Sequence, residues 1–150
     1  MTIPRAPLWL GFAGLVPFVW GALTVIFPGL GDWGARMLGP RFAGPYVILF
    51  YGAVILSFMS GVLWGFATRL GGQRATTGYV LSVVPALWAF FTTGGGVVAA
   101  GLSLIAGFTV ILGIDWWFSR QGVAPGWWMG LRLTLTAVVL VCLAIAVILS

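Results

Sequence analysis

The chain has 150 residues, of which 61% are hydrophobic and 6% are charged, and its mean hydropathy is +1.15. Soluble domains carry about 25% charged residues, so this composition excludes a soluble domain and indicates an integral membrane protein. The charged residues are seven Arg and two Asp, which give a formal net charge of +5. These charges are too scattered for the clustered basic face that binds nucleic acid, so no nucleic-acid partner is expected.

Five apolar runs follow one another along the chain, at about residues 7–27, 46–68, 76–93, 97–117 and 127–149. Each is long enough to cross the hydrocarbon of a bilayer as a helix of about 20 residues. We therefore predict an all-α integral membrane protein: one transmembrane domain over residues 1–150, a compact bundle of five transmembrane helices with short loops. The first run is too long for a signal peptide and lacks a clear cleavage site, so we expect it to be retained.

Prolines and glycines predict the local breaks. Pro17 and Pro85 lie in the middle of the first and third runs, where each is expected to kink its helix. The loop after the first run resembles a short surface helix, with Asp32 as its N-cap and Gly39-Pro40 as its stop.

The distribution of arginines predicts the orientation in the membrane. With five spans, one side holds four arginines near the surface and Arg132 one turn inside the last span, whereas the other side holds two arginines and Asp32. Positive-inside counting then places the N-terminus in the cytoplasm (or the matrix of an organelle) and the C-terminus in the periplasm. We expect a multi-pass protein of the bacterial inner (cytoplasmic) membrane. The arginines predicted to contact lipid headgroups are Arg69, Arg74 and Arg120.

Small residues recur at every fourth position in three of the spans, which is the spacing of a smooth face for close helix packing. These ladders are Ser57, Gly61 and Gly65; Gly78, Ser82 and Ala86; and Ala99, Ser103 and Gly107. We predict packing faces rather than a pore lining, because a pore needs more polar groups. The first ladder is expected to form the seam of the bundle, and the fifth span, which has no ladder, is expected to lie at its periphery.

Two charged residues lie within predicted spans. Asp115 is near the end of the fourth span and Arg132 is one turn into the fifth, so the two are at similar depth in antiparallel neighbours. An unpaired charge in the bilayer is costly, so we expect an ion pair. Its role is either a structural staple between the two helices, which we favour, or a functional site at a cytoplasmic cleft.

Catalytic and cofactor chemistry have little support in this sequence. General acid–base catalysis usually uses His, Glu or Lys, and the chain has none of these residue types. Without His, bis-His haem ligation is excluded and a zinc site is nearly so. The one thiol, Cys142, is predicted to pack in the fifth span. We expect no enzyme activity, no catalytic residues, no metal and no cofactor.

The order of several motifs resembles a known family. The motifs are LWLGFAGLVPF, YGAVILSFMSGVLWGFA, SVVPALWAF, an Asp ending the fourth span, and APGWWMGLRLTLT. Together they resemble the family named domain of unknown function 3429, which includes proteins like transmembrane protein 69. The resemblance implies a small multi-span protein of bacterial inner membranes or mitochondria, without an assigned activity. The family often has His or Arg where this chain has Leu63, so the resemblance implies no polar site there.

Three functions are compatible with these features. The first is a non-enzymatic accessory or assembly partner of a larger membrane complex, such as a respiratory complex, or a homo-oligomer. The second is a small transporter or permeation module for a neutral or lipid-like solute, which would use Pro17, Pro85 and the hydroxyls of Ser57, Ser60 and Ser103. The third is general binding of anionic lipids by the arginines. Expected partners are membrane lipids and other membrane proteins or further copies of this chain.

Overall fold

The computed structural model describes residues 2–150, and their regular structure is helical throughout. The elements are α1 (Arg5–Ala13), α2 (Val16–Ile26), α3 (Pro28–Leu38), a 3-10 turn (Pro40–Phe42), α4 (Gly44–Ala67), α5 (Gly72–Thr92), α6 (Val97–Arg120) and α7 (Trp128–Ile148). Within this described part of the chain, five segments are long and apolar enough to cross a membrane: α1 and α2 together, α4, α5, α6 and α7. The predicted all-α bundle is confirmed.

The first span is interrupted in the turn before Pro17, so it consists of two helices, α1 and α2. Residues 14–15 form a turn between α1 and α2. Pro17 lies just inside the start of α2, where a missing N–H costs nothing because the first N–H groups of a helix have no partner. The disruption predicted at Pro17 therefore takes the form of a break in the preceding turn, since α1 ends at Ala13, whose carbonyl Pro17 cannot bond. The helix α1 buries no residue, whereas α2 buries four.

The loop after α2 contains the surface helix α3, but its start differs from the prediction. The helix begins at Pro28, after Phe27, so Asp32 lies inside it and does not cap it. The predicted stop is confirmed, since α3 ends at Leu38 and Gly39 has a φ of +99°. Trp20 Nε1 donates to the carbonyl of Phe42 at 2.7 Å, which holds the end of this loop against α2.

The core of the bundle lies between α4, α6 and α7, where Leu56, Leu104 and Leu143 are fully buried. Seven residues of α7 are buried, against four of α5. The prediction that the fifth span is peripheral is therefore wrong, and α5 is the more exposed helix. The close contact between α6 and α7 depends on a glycine of α6: a Cβ on Gly101 would lie 2.5 Å from Val147 of α7.

Glycines on α2 and α6 allow close approach of a neighbour. A Cβ on Gly21 of α2 would collide with Ile48 of α4, and a Cβ on Gly107 of α6 would lie 2.7 Å from Leu56 and 3.0 Å from Trp88. In lipid, helices associate by van der Waals packing and hydrogen bonds, because burial from water supplies no driving force between them. These contacts therefore supply much of the packing of the bundle.

Polar groups connect neighbouring helices at single points. The N–H of Ala86 in α5 donates to Ser60 Oγ of α4 at 2.9 Å, beside the break in backbone bonding that Pro85 causes. Trp88 Nε1 of α5 donates to the carbonyl of Ser103 in α6 at 2.7 Å. The N–H of Gly44, at the start of α4, donates to Thr24 Oγ1 of α2 at 2.8 Å. Each bond gives a backbone or indole N–H a partner within the protein, which hydrocarbon cannot supply.

We expect Gly107→Ala to destabilise the bundle by about 1–3 kcal/mol, because the added methyl group overpacks the contact with Leu56 and Trp88. Gly113→Ala is the matched control on α6, since no atom lies within 4 Å of a Cβ there. Both changes gain the same helix propensity, so their difference isolates packing. Unfolding in detergent measures it, and equal stability of the two variants would contradict the packing of α6 described above.

We expect Ser60→Ala to cost about 1 kcal/mol, because the N–H of Ala86 loses its acceptor inside the bundle. Ser57→Ala on the same helix is the control, because the Ser57 hydroxyl is exposed and donates only to Ala53 of its own helix. Thermal unfolding of both variants in the same detergent provides the comparison. A loss of stability in Ser57→Ala as large as that in Ser60→Ala would argue against the interhelical bond.

Candidate functional site

The two intramembrane charges lie together between α6 and α7. Arg132 Nε donates to Asp115 Oδ2 at 2.7 Å, and Trp128 Nε1 donates to Asp115 Oδ1 at 2.8 Å. Asp115 is 0% exposed and Arg132 is 5% exposed. Both carboxylate oxygens therefore have a donor, and the Arg132 charge has a counter-charge in contact with it. This arrangement is that of a buried staple, in which removal of one partner is costly.

The loop between α6 and α7 helps to hold this site in place. Arg69, just after α4, donates from Nη1 to the carbonyl of Val123 in the loop at 2.9 Å. Phe118, one turn after Asp115, is fully buried, and its ring lies against Phe66 of α4 with 6.0 Å between centroids and a tilt of 53° between the rings. The ends of α4, α6 and α7 are thus fixed to one another on the side where the ion pair lies.

One nitrogen of the Arg132 guanidinium remains unpartnered. Arg132 Nη2 is buried without a hydrogen-bond partner, and so is Thr136 Oγ1. The two residues are four positions apart in α7, so they share one face of that helix. Both line a cavity of about 300 Å³ between α1, α2, α4, α6 and α7. The rest of its lining is mostly apolar: Leu10, Gly11, Gly14, Leu15, Phe18, Tyr51, Ile55, Phe58, Met59, Phe108, Leu135 and Val139.

The small-residue ladders divide between the inside and the outside of the bundle. In α5, Gly78 and Ser82 are buried and Ala86 is half-buried, so this ladder faces the interior of the bundle. In α6, Gly107 is buried and Ser103 half-buried. Ala99 is exposed, so its assignment to a packing face within the chain is wrong.

The ladder of α4 faces away from the bundle. Ser57, Gly61 and Gly65 are exposed, and no atom lies within 4 Å of a Cβ on either glycine. The prediction that they form the seam is wrong. The inward face consists of larger residues, including Leu56 and Leu63, both fully buried. Spacing at every fourth position defines a face of a helix but not its direction, so the pattern alone could not tell the two faces apart.

The three arginines predicted at the lipid headgroups have different environments. Arg74 is exposed in the first turn of α5. Arg120, the last residue of α6, lies over the ring of Trp116 at 5.5 Å. Arg69 is exposed, but one of its nitrogens is bound to Val123. Its role is therefore in part to hold the α6–α7 loop.

Sequence reasoning missed two parts of this site. The first is Trp128, whose indole N–H donates to the buried carboxylate of Asp115. Its spacing of four from Arg132 was the available signal, because residues four apart share a helix face. Thr136, at the same spacing on the other side, belongs to that face as well. The cavity had no sequence signal, since it depends on the break between α1 and α2.

We expect Asp115→Asn to lower the yield of monodisperse protein in detergent and its Tm. The change leaves the buried guanidinium without a counter-charge, and breaking a buried pair in this way costs about 3–5 kcal/mol. The double variant Asp115→Leu with Arg132→Met removes both charges and is expected to recover most of the loss. An unchanged yield and Tm in the single variant would contradict a structural role for the pair.

Comparisons with known proteins agree with this architecture. Over 139 residues the chain is 34% identical to transmembrane protein 69 of Xenopus tropicalis. The alignment covers 90% of this chain and 51% of that protein. The chain thus spans about half the length of this curated relative. No solved structure matches it. The family described as protein of unknown function (DUF3429) matches residues 3–148, so the chain belongs to the DUF3429 family of membrane proteins.

Proposed function

We propose that this protein is a non-enzymatic component of the membrane that acts by binding another transmembrane helix, either of a larger complex or of a second copy of itself. The observation that supports the proposal is the outward face of α4, where Ser57, Gly61 and Gly65 are exposed and the two glycines have no neighbour. Small residues four apart let a second backbone approach closely, which is how transmembrane helices associate.

The surface beside this ladder suits a helix as well. Ser57 borders an open groove of about 410 Å³ between α4 and α5, whose other lining residues are Ala53, Val54, Ala89, Phe90 and Thr93. Phe90 is 77% exposed at its edge. A docked helix would bury this aromatic side chain and fill the groove. The groove therefore extends the interface from the ladder of α4 to α5.

The proposed setting is the inner membrane of a bacterium, with the N-terminus in the cytoplasm and the C-terminus in the periplasm. The support is the charge count: Arg69, Arg74 and Arg120 lie at the ends of α4, α5 and α6 on the side of the N-terminus. Lys and Arg accumulate on the cytoplasmic side of membrane proteins. The basic ends of these helices also suit contact with anionic lipids.

Permeation of a neutral or lipid-like solute is the weaker candidate. It required the hydroxyls of Ser57, Ser60 and Ser103 to lie along one path. Ser57 faces outward, and Ser60 accepts the bond from Ala86. Helix association explains the exposed ladder, whereas permeation leaves it without a role.

We expect Gly61→Leu with Gly65→Leu to weaken this association roughly tenfold or more, because the leucines prevent close approach of the partner backbone. Gly113→Leu is the matched control, since Gly113 is likewise exposed and without neighbours but lies on α6. Tagged protein is purified from native membranes in mild detergent, and its mass is measured by light scattering.

The proposal predicts a partner chain, or a second copy, that is retained by wild type and by Gly113→Leu but lost from the double variant. Recovery of monomer alone from the wild type in repeated preparations would refute it. Equal retention of the partner by all three proteins would show that the interface does not include this face of α4.

A further inference from the structure

The cavity beside Arg132 contains a buried hydrogen-bond donor that the protein does not use. Arg132 Nη2 has no partner, although the residue is only 5% exposed. Thr136, 2% exposed on the same face of α7, also has an unpartnered hydroxyl. Buried polar atoms without a partner are rare because each forfeits its hydrogen bonds to water. Two of them lining one apolar cavity indicate a ligand with a hydrogen-bond acceptor.

The charge balance of the site excludes an anionic group as that acceptor. The Arg132 charge is already matched by Asp115, whose carboxylate lies 2.7 Å from Nε. A phosphate or carboxylate beside Nη2 would be repelled by Asp115 at low dielectric, where charges interact most strongly. A neutral carbonyl oxygen accepts a hydrogen bond from the guanidinium without adding charge.

The position and shape of the cavity indicate where the ligand comes from. Arg132 lies four residues after the start of α7, about 6 Å along the helix axis, just inside the membrane interface. Leu10 of α1 and Phe58 of α4 line the cavity and are 73% and 65% exposed, so it opens sideways to the bilayer. Its volume of about 300 Å³ is at the lower end for ligand sites and suits a single chain.

We propose that this cavity binds one acyl chain of a membrane glycerolipid, whose ester carbonyl accepts a hydrogen bond from Arg132 Nη2. The chain lies along α7 from Arg132 towards Val139 and contacts Phe18 of α2 and Phe108 of α6, all of which line the cavity. The headgroup remains outside, at the interface. Because α1 buries no residue of its own, the bound chain fills the space between α1 and the rest of the bundle. This site is separate from the outward ladder of α4 and does not depend on the proposed helix association.

Photo-crosslinking in liposomes tests the proposal. The probe is a phosphatidylcholine with a diazirine on one acyl chain, and labelled peptides are identified by mass spectrometry. We expect labelling of α7 between Arg132 and Val139. Unlabelled ester phosphatidylcholine should compete at least tenfold better than the ether lipid of the same chain length, which lacks both carbonyls. Equal competition by the two lipids would overturn the assignment of the carbonyl.

Variants test the cavity without disturbing the ion pair. Val139→Phe fills it and should reduce labelling at least tenfold, whereas Val141→Phe, on the exposed face of α7, should leave it unchanged. Thr136→Val keeps the shape but removes the second unpartnered polar group of the cavity, so labelling should fall about threefold to tenfold. Thr134→Val is its control, since Thr134 is exposed and donates to Gly130 of its own helix.

Three results would refute the proposal. The first is labelling in Val139→Phe equal to that in wild type while both proteins elute as the same folded species. The second is labelling that spreads evenly over the lipid-facing surfaces. The third is displacement of the probe by a lipid-soluble quinone at concentrations at which the ester lipid has no effect, which would assign the cavity to a different carbonyl compound.

Discussion

A polar group inside a bilayer has no water to bond, so it must find its partner within the protein. This constraint determines how the helices of this bundle are aligned. Thr24 bonds the start of α4, Ser60 bonds α5, the carbonyl of Ser103 accepts from α5, and Asp115 accepts from α7. Apolar surfaces in lipid are nearly interchangeable, so packing alone allows neighbouring helices to slide. At least one polar contact in each of these helix pairs fixes the register, although the helices contain few polar residues.

The glycines and these bonds depend on each other. Leu56 and Trp88 pack directly against Gly107, and the same Trp88 donates to the carbonyl of Ser103, one turn before Gly107 in α6. Gly21 lies against Ile48 just before Thr24, which bonds Gly44. Close approach brings the bonding groups within reach, and the bonds hold the helices at that distance. The exception is the side of the bundle at α1, where the chain breaks at residues 14–15 and the interior opens into the cavity beside Arg132.

Composition and hydropathy predicted the five-helix membrane fold because both follow directly from the bilayer thickness. The pairing of Asp115 with Arg132 could also be predicted, since the sequence gives the depth of each residue and the antiparallel arrangement of neighbouring spans. Which way the Ser57 ladder faces could not be predicted. Ser57 and Ser60 have the same chemistry, and only the assembled bundle shows that Ser60 faces α5 and Ser57 faces outward. The interruption of the first span at Pro17 was predictable, because proline cannot donate to the carbonyl four residues earlier and suits the first turn of a new helix. The unpartnered donors of the cavity emerge only when five helices are assembled.

The position of the acidic residue ahead of its basic partner in the chain has a consequence for biosynthesis. Asp115 precedes Arg132 by 17 residues, so at about 5–20 residues per second the ribosome needs roughly 1–3 s to supply the arginine. During that interval α6 carries a carboxylate without its counter-charge, at an insertion cost of about 2.5–3.5 kcal/mol for a central position and less near the interface. The rest of α6 is strongly apolar, so the helix remains in the membrane despite this cost. Arrival of α7 completes the pair, so α6 reaches its final depth only after the helix that follows it has been synthesised.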